Sequence, residues 1–133
     1  VKFKFPVVVE DHQRPFVRDD QGRQIVSITV KEQDAADENA ADALVAKAKS
    51  AKASELMEWG KRRAMAMVGL CVVAYEHAGT DGASVEVKCQ TPNDAFRGWS
   101  PKAKALASAF YGELNGADES ETDEAFRRAQ VAT

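Results

Sequence analysis

From Ala64 to Tyr75 the chain reads AMAMVGLCVVAY, with no charged residue, so this run has to be surrounded by protein. It lies inside ASELMEWGKRRAMAMVGLCVVAYEHAG, where Leu56, Trp59, Met67, Leu70, Cys71, Ala74 and Tyr75 recur near the three-and-four spacing of one helical face. The pattern predicts a central helix from Ser54 to Gly79, polar on the back of its first half at Glu58, Lys61, Arg62 and Arg63. Gly79 is placed as its left-handed C-terminal cap, and His77 beside its last carbonyls. A bilayer crossing takes about 20 apolar residues, and this run stops short of that at Glu76.

A chain of 133 residues fits one domain with one core. Charged residues at 29% and hydrophobic ones at 44% argue against wholesale disorder and against a membrane protein. The formal charge of -3 and pI near 5.4 give no general attraction to nucleic acid or anionic lipid. Two cysteines, Cys71 and Cys89, sit in apolar surroundings, and no secretory leader pattern opens the sequence, so a reduced, cytoplasmic protein is expected.

The N-terminal part reads as a β-meander over residues 1–33. Phe3, Phe5, Val7 and Val9 alternate with Lys2, Lys4 and Glu10, and Pro6 favours an edge. Asp19-Asp20-Gln21-Gly22 makes a turn, and Gln24 to Lys31 alternates again with Val26, Ile28 and Val30 on one face. Pro15 to Arg18 is the doubtful middle strand. Residues 34–78 hold an Ala-rich helix and the central helix. Asp34, Asp37, Glu38 and Asp42 open the first and Lys47, Lys49 and Lys52 close it, complementing the helix dipole, with Ala36, Ala40, Leu44, Ala48 and Ala51 as a narrow apolar face. Ser54 either caps a separate central helix or the two run together with a bend near Gly60. Residues 83–90 contain a short strand, with Val85, Val87 and Cys89 on one face, that pairs with the meander. Ser100-Pro101 starts a helix with an inward stripe of Ala103, Leu106, Ala107, Phe110 and Leu114, stopped at Asn115-Gly116. A last short helix around Thr122 to Gln130, anchored by Phe126, completes C-terminal helices over 100–130. The expected fold is α+β, an N-terminal antiparallel meander or hairpin packed on a mainly helical body of three to four helices.

Little in the sequence points to chemistry. His12, His77, Cys71 and Cys89 show no ligand-pair spacing, so neither a metal nor a cofactor is expected. Cys71 reads as packing rather than as a nucleophile, and the acidic runs as helix N-terminal electrostatics rather than a tuned acid–base pair. Gly79-Thr80-Asp81-Gly82 lacks the lysine and flanking elements of a phosphate loop. Lys61, Arg62 and Arg63 beside Trp59 are too small a cluster on an acidic chain to make a nucleic-acid surface. The chain reads as a non-enzyme.

One resemblance goes further. TPNDAFRGWSPKAKALASAFYGELNGADESETDEAFRRA resembles the tail assembly chaperones of long-tailed bacteriophages, through Phe96, Trp99, Ser100, Leu106, Phe110, Tyr111, Leu114, Asn115 and Phe126. FKFPVVV and IVSITVKEQDAADENAA are similar to that family's two strands running into an Ala-rich helix. The resemblance implies a non-enzymatic protein of the infected bacterial cytoplasm that binds the tape measure protein and promotes assembly of tail-tube subunits around it. The alternative is a structural subunit, a connector or baseplate component, retained in a phage or phage-like particle. The partner surface expected on this reading combines Trp59, Phe96, Trp99 and Tyr111, aromatics of the kind enriched at binding hot spots. Against it stands the reading in which both tryptophans close the ends of the core. Self-association through the Ala-rich helix or the edge of the meander is expected as well, and no nucleic acid or membrane partner.

Overall fold

The computed structural model describes residues 1–45, 50–90 and 94–116. The order of elements is β1 (Lys2–Pro6), a 3-10 turn (Asp11–Phe16), β2 (Ile25–Lys31), α1 (Ala35–Leu44), α2 (Ala53–Cys71), β3 (Val72–Ala78), β4 (Ser84–Lys88), a 3-10 turn (Asp94–Gly98) and α3 (Pro101–Asn115). The strands form one antiparallel sheet in the order β1-β2-β3-β4, so the fold is α+β as expected. Among the described residues no helix is long and apolar enough to cross a membrane.

The main correction concerns the charge-free run. It is not one helix: α2 ends at Cys71, and Val72–Ala78 is a strand that pairs with β2 on one side and β4 on the other. No loop separates the two. Val72 turns to extended backbone at φ -81°, ψ 106°, while its N–H still closes the helix on the Val68 carbonyl. The β-branched pair Val72-Val73 and the aromatic Tyr75 suit a pleated, two-sided buried strand better than a helix. His77 therefore belongs to β3, buried at 7% exposure, with Nδ1 3.0 Å from the Ala78 carbonyl oxygen, rather than to a helix end. Gly79 is no left-handed cap either. It opens the β3–β4 hairpin, where a Cβ would lie 2.4 Å from the Ala83 carbonyl oxygen, and Gly82 supplies the positive φ of 90°.

Across the sheet, Phe5, Ile28, Tyr75 and Val87 stand in one cross-strand row. Phe5 stacks on Phe110 of α3, with centroids 4.7 Å apart and planes at 3°, which puts that row on the helix-covered face. The neighbouring row faces away. There Glu76 accepts from Ser27 Oγ at 2.8 Å and pairs with Lys4 Nζ at 3.0 Å, and these two contacts hold its carboxyl below the ordinary range. The helix that covers the sheet is α3, through Ala103 and Ala107, whose small side chains are fully buried. The meander therefore packs chiefly on α3 and not on α2. In β2 the register slips between Ile25 and Ser27, so Ile25 rather than Val26 joins Ile28 and Val30 in the core, and Phe3 is 52% exposed.

Other readings hold or shift locally. The turn at Gly22 forms with φ 77° and a bond from Gly22 N to Asp19 O of 3.0 Å. The doubtful strand Pro15 to Arg18 reduces to the 3-10 turn and one isolated bridge, Arg18 to Gln24. The strand in 83–90 exists as Ser84–Lys88, but its neighbour is β3 and not the meander. α1 and α2 are separate helices, and Lys52, not Ser54, precedes α2 as its cap. The buried face of α1 is Asp37 and Ala41, whereas Ala36 and Leu44 are exposed. Lys47, Ala48 and Lys49, and the helix expected at Thr122 to Gln130 with Phe126, lie outside the described residues.

Caps and ion pairs fix the elements. Asp34 and Asp37 form a reciprocal capping box at α1, and Lys31 Nζ bonds both Asp37 oxygens at 2.9 and 2.7 Å. Arg63 ties α2 to α1 through Asp42 at 2.6 Å. Ser100 caps α3 and also accepts from Arg18 N at 3.0 Å and donates to Phe16 O at 2.6 Å. Asn115, at the other end of α3, accepts from Gln33 N at 2.8 Å and donates to the Lys31 carbonyl at 3.3 Å.

Ile28 is fully buried at the centre of the covered face. Placing an unpaired carboxylate there costs several kcal/mol, against a total stability of about 5–15 kcal/mol for a domain. Ile28→Asp is expected to abolish the cooperative thermal transition followed by circular dichroism.

Candidate functional site

The groove begins where α1 ends and α2 passes the 3-10 turn that precedes α3. Leu44 and Val45, then Arg62, Met65, Ala66, Gly69 and Leu70, then Phe96, Arg97 and Lys104 enclose about 460 Å³. The position of Phe96 depends on Gly69: a Cβ at Gly69 would lie 3.1 Å from Phe96 Cδ2, so the missing side chain lets the ring lie on α2.

Behind Phe96 the wall continues into the core. Phe96 meets Trp99 at 5.2 Å between centroids, and Trp99 meets Tyr75 edge-on at 5.0 Å. Tyr75 donates its hydroxyl to Asp19 Oδ2 at 2.8 Å, and Arg23 Nε donates to the same oxygen at 2.8 Å. The other oxygen, Asp19 Oδ1, accepts from Gln21 N at 3.0 Å and Arg23 N at 2.8 Å. Burial pushes the Asp19 carboxyl up, but the backbone donors, Tyr75 and Arg23 together outweigh it and hold the group below its ordinary value. A Cβ on Gly98 would lie 2.6 Å from Asp20 Cβ, so the turn carrying Phe96 is pressed against the turn carrying Asp19.

The floor of the groove is apolar and its edge is cationic. Arg62, Arg97 and Lys104 line it, and among the described residues no carboxylate does. Arg62 also reaches Glu58 at 3.8 Å, an exposed pair of small energy. Such a surface can take apolar side chains while favouring neighbouring negative charge.

The four expected contact aromatics do not form one exposed surface. Phe96 and Trp99 touch each other but are 4% and 3% exposed, so Phe96 serves as groove wall and Trp99 as core, the packing alternative for that tryptophan. Trp59 is half-buried on α2, three residues before Arg62 and seven before Ala66, which puts it on the same helical face about one turn before the groove, although it does not line it. Its indole N–H, like that of Trp99, is buried without an acceptor among the described residues. Tyr111 is half-buried on α3, donates to Gln33 Oε1, and has its phenol pushed up to about 12, chiefly by burial. Sequence reasoning missed Leu44, Met65, Gly69 and Lys104. The available signal was Met65, an apolar residue off the expected buried face of α2.

Chemistry is not concentrated anywhere among the described residues. No three His, Cys, Asp or Glu side chains gather there as a metal would need. Cys71 is fully buried and its thiol is pushed up to about 12, first by burial and then by Asp37, so at neutral pH it is protonated packing. It is expected to resist iodoacetamide in the folded protein at pH 8 and to react on denaturation, as peptide mass mapping would show.

Asp19→Asn checks the wall. Replacing a buried, multiply bonded carboxylate should cost about 2 kcal/mol at pH 7. Because the folded-state value lies below the unfolded one of about 3.9, the stabilisation is complete above that pH and is lost as pH falls toward and through the folded value. Urea titrations at pH 6 and pH 3 should therefore give a smaller acid-induced loss in Asp19→Asn than in the unsubstituted protein.

Comparison with protein-family models, with curated proteins and with solved structures found no match for this chain.

Proposed function

We propose that the chain is a non-enzymatic protein-binding assembly factor, acting as a tail assembly chaperone that holds a tape measure protein while tail-tube subunits assemble. The observation that supports this reading is the groove between α1, α2 and the turn at Phe96, with Leu44, Met65 and Phe96 along an apolar floor. A groove of this kind suits the apolar face of a helical segment, read at positions i, i+3, i+4 and i+7. The exposed Leu56 and Met57 on the first half of α2 extend the apolar surface beyond it. The client class comes from the resemblance in residues 91–129, and the groove is the surface assigned to it on this reading.

Met65 is 38% exposed, so Met65→Glu should leave the thermal midpoint within a few degrees while placing a charge on the floor. In co-expression with the tape measure protein of its own phage, the variant is expected to retain at least tenfold less client on affinity capture and to leave more client insoluble. Unchanged capture would remove the groove from the reading. Purified particles make the second check. A chaperone is absent from them, whereas retention at fixed stoichiometry would favour the connector or baseplate subunit.

A further inference from the structure

We infer that β4 pairs antiparallel with β4 of a second copy about a two-fold axis through Val87, joining the two sheets into one. β4 stands last in the sheet, so its outer backbone groups have no strand partner among the described residues. Which groups these are follows from the β3–β4 ladder. Gly79 N bonds the Ala83 carbonyl at 2.8 Å and Cys89 N bonds the Val73 carbonyl at 2.9 Å. By alternation Val85 and Val87 turn their N–H and C=O groups toward β3, while Ser84, Glu86 and Lys88 turn theirs outward.

Charge selects the register. A pairing that keeps covered face beside covered face and joins the outward groups has its axis on a residue of β4. An axis at Glu86 opposes glutamate to glutamate, and one at Lys88 opposes lysine to lysine, both unfavourable. Axes at Ser84 or Val85 leave Lys88 beyond the paired stretch. The axis at Val87 opposes Glu86 to Lys88 of the second copy, and by symmetry does so on both sides. Neither side chain finds its complement across β3, where Glu86 stands opposite Glu76, itself engaged by Lys4, and Lys88 stands opposite Ala74. Val87 then meets Val87 in a non-hydrogen-bonded pair, where side chains come closest, and the covered row Phe5, Ile28, Tyr75, Val87 runs on into the second sheet.

The opposite edge is blunted. There Val7 N bonds the Val26 carbonyl at 2.9 Å, so Lys2, Lys4 and Pro6 turn their backbone groups outward. Pro6 has no donor, and self-pairing about Lys4 opposes lysine to lysine. Self-association thus moves from the edge of the meander to β4. No described residue of β4 lines the groove, so this pairing stands independently of the groove's reading.

Sedimentation velocity of the full chain, from low to high micromolar concentration, tests this. A strand this short buries little surface, so a dimer with a dissociation constant in the micromolar range is expected. Glu86→Lys and Lys88→Glu, both at exposed positions, should each weaken it about tenfold by opposing like charges, with unchanged circular dichroism. An equimolar mixture of the two variants should dimerise like the unsubstituted chain, because each supplies the charge the other lacks in this register. The double variant Glu86→Lys with Lys88→Glu should do so as well. A monomer throughout the range, a dimer indifferent to the single reversals, or a mixture that stays monomeric would each overturn the inference.

Discussion

The structure depends on a helix that becomes a central strand without a loop. β3 has a neighbour on each side and Tyr75 packed into the covered face, so the direction of Val72–Ala78 is set by two ladders at once. Because α2 feeds it directly, the C-terminal end of that helix is pinned to the sheet, and its fully buried residues, Met67 to Cys71, are confined to its last turns. The earlier turns run out past the sheet, and α1 is tied onto them by Arg63 to Asp42 and Glu38. The groove forms along α2 between the end of α1 and the 3-10 turn at Asp94–Gly98.

How much of this was legible follows from the same junction. Elements bounded by their own chemistry were readable: Ser100-Pro101 at the start of α3, the acidic opening of α1, the turn at Gly22, the alternation of β1. The switch at Cys71–Val72 has no Gly or Pro to announce it, and over a short apolar run periods of 3.6 and 2 fit almost equally well. Leu70, Cys71, Ala74 and Tyr75 satisfy the helical spacing by chance and are buried for two different reasons, the first two as the last residues of α2 and the last two in the sheet. The Val72-Val73 pair and the outward Glu76 between inward Tyr75 and His77 were the signals for a strand. Reading them required letting β propensity outweigh an unbroken helical pattern upstream.

The candidate site was less legible because a groove belongs to no single element. Aromatic residue type was a poor guide: Trp99 and Phe96 are large enough to be worth burying, and they do bury, in a stack running from Tyr75 to the groove wall. The contact with Gly69 that seats Phe96 joins residues far apart in sequence, and nothing local to either announces it. Chain order also hides that Lys104 and Arg62 line one rim, since they come together only where the 3-10 turn at Asp94–Gly98 brings the start of α3 beside α2.

Charge in this chain is handled in two ways, and the contrast bears on what the groove can recognise. Asp19 and Asp37 are carried into the interior with their partners already in place, Arg23 and Tyr75 for one and Lys31 for the other, so neither is available to a ligand. The groove's cations stand at a surface, where salt screens them over about 8–10 Å and a single pair contributes at most about 1 kcal/mol. On the proposed reading, most affinity at such a site would come from apolar contact with Leu44, Met65 and Phe96, while the cations would bias which apolar segment is accepted and speed its arrival. On the proposed reading, discrimination between an acidic and a basic segment of equal hydrophobicity would lie at the rim, and apolar contact with the floor would set how long either one stays.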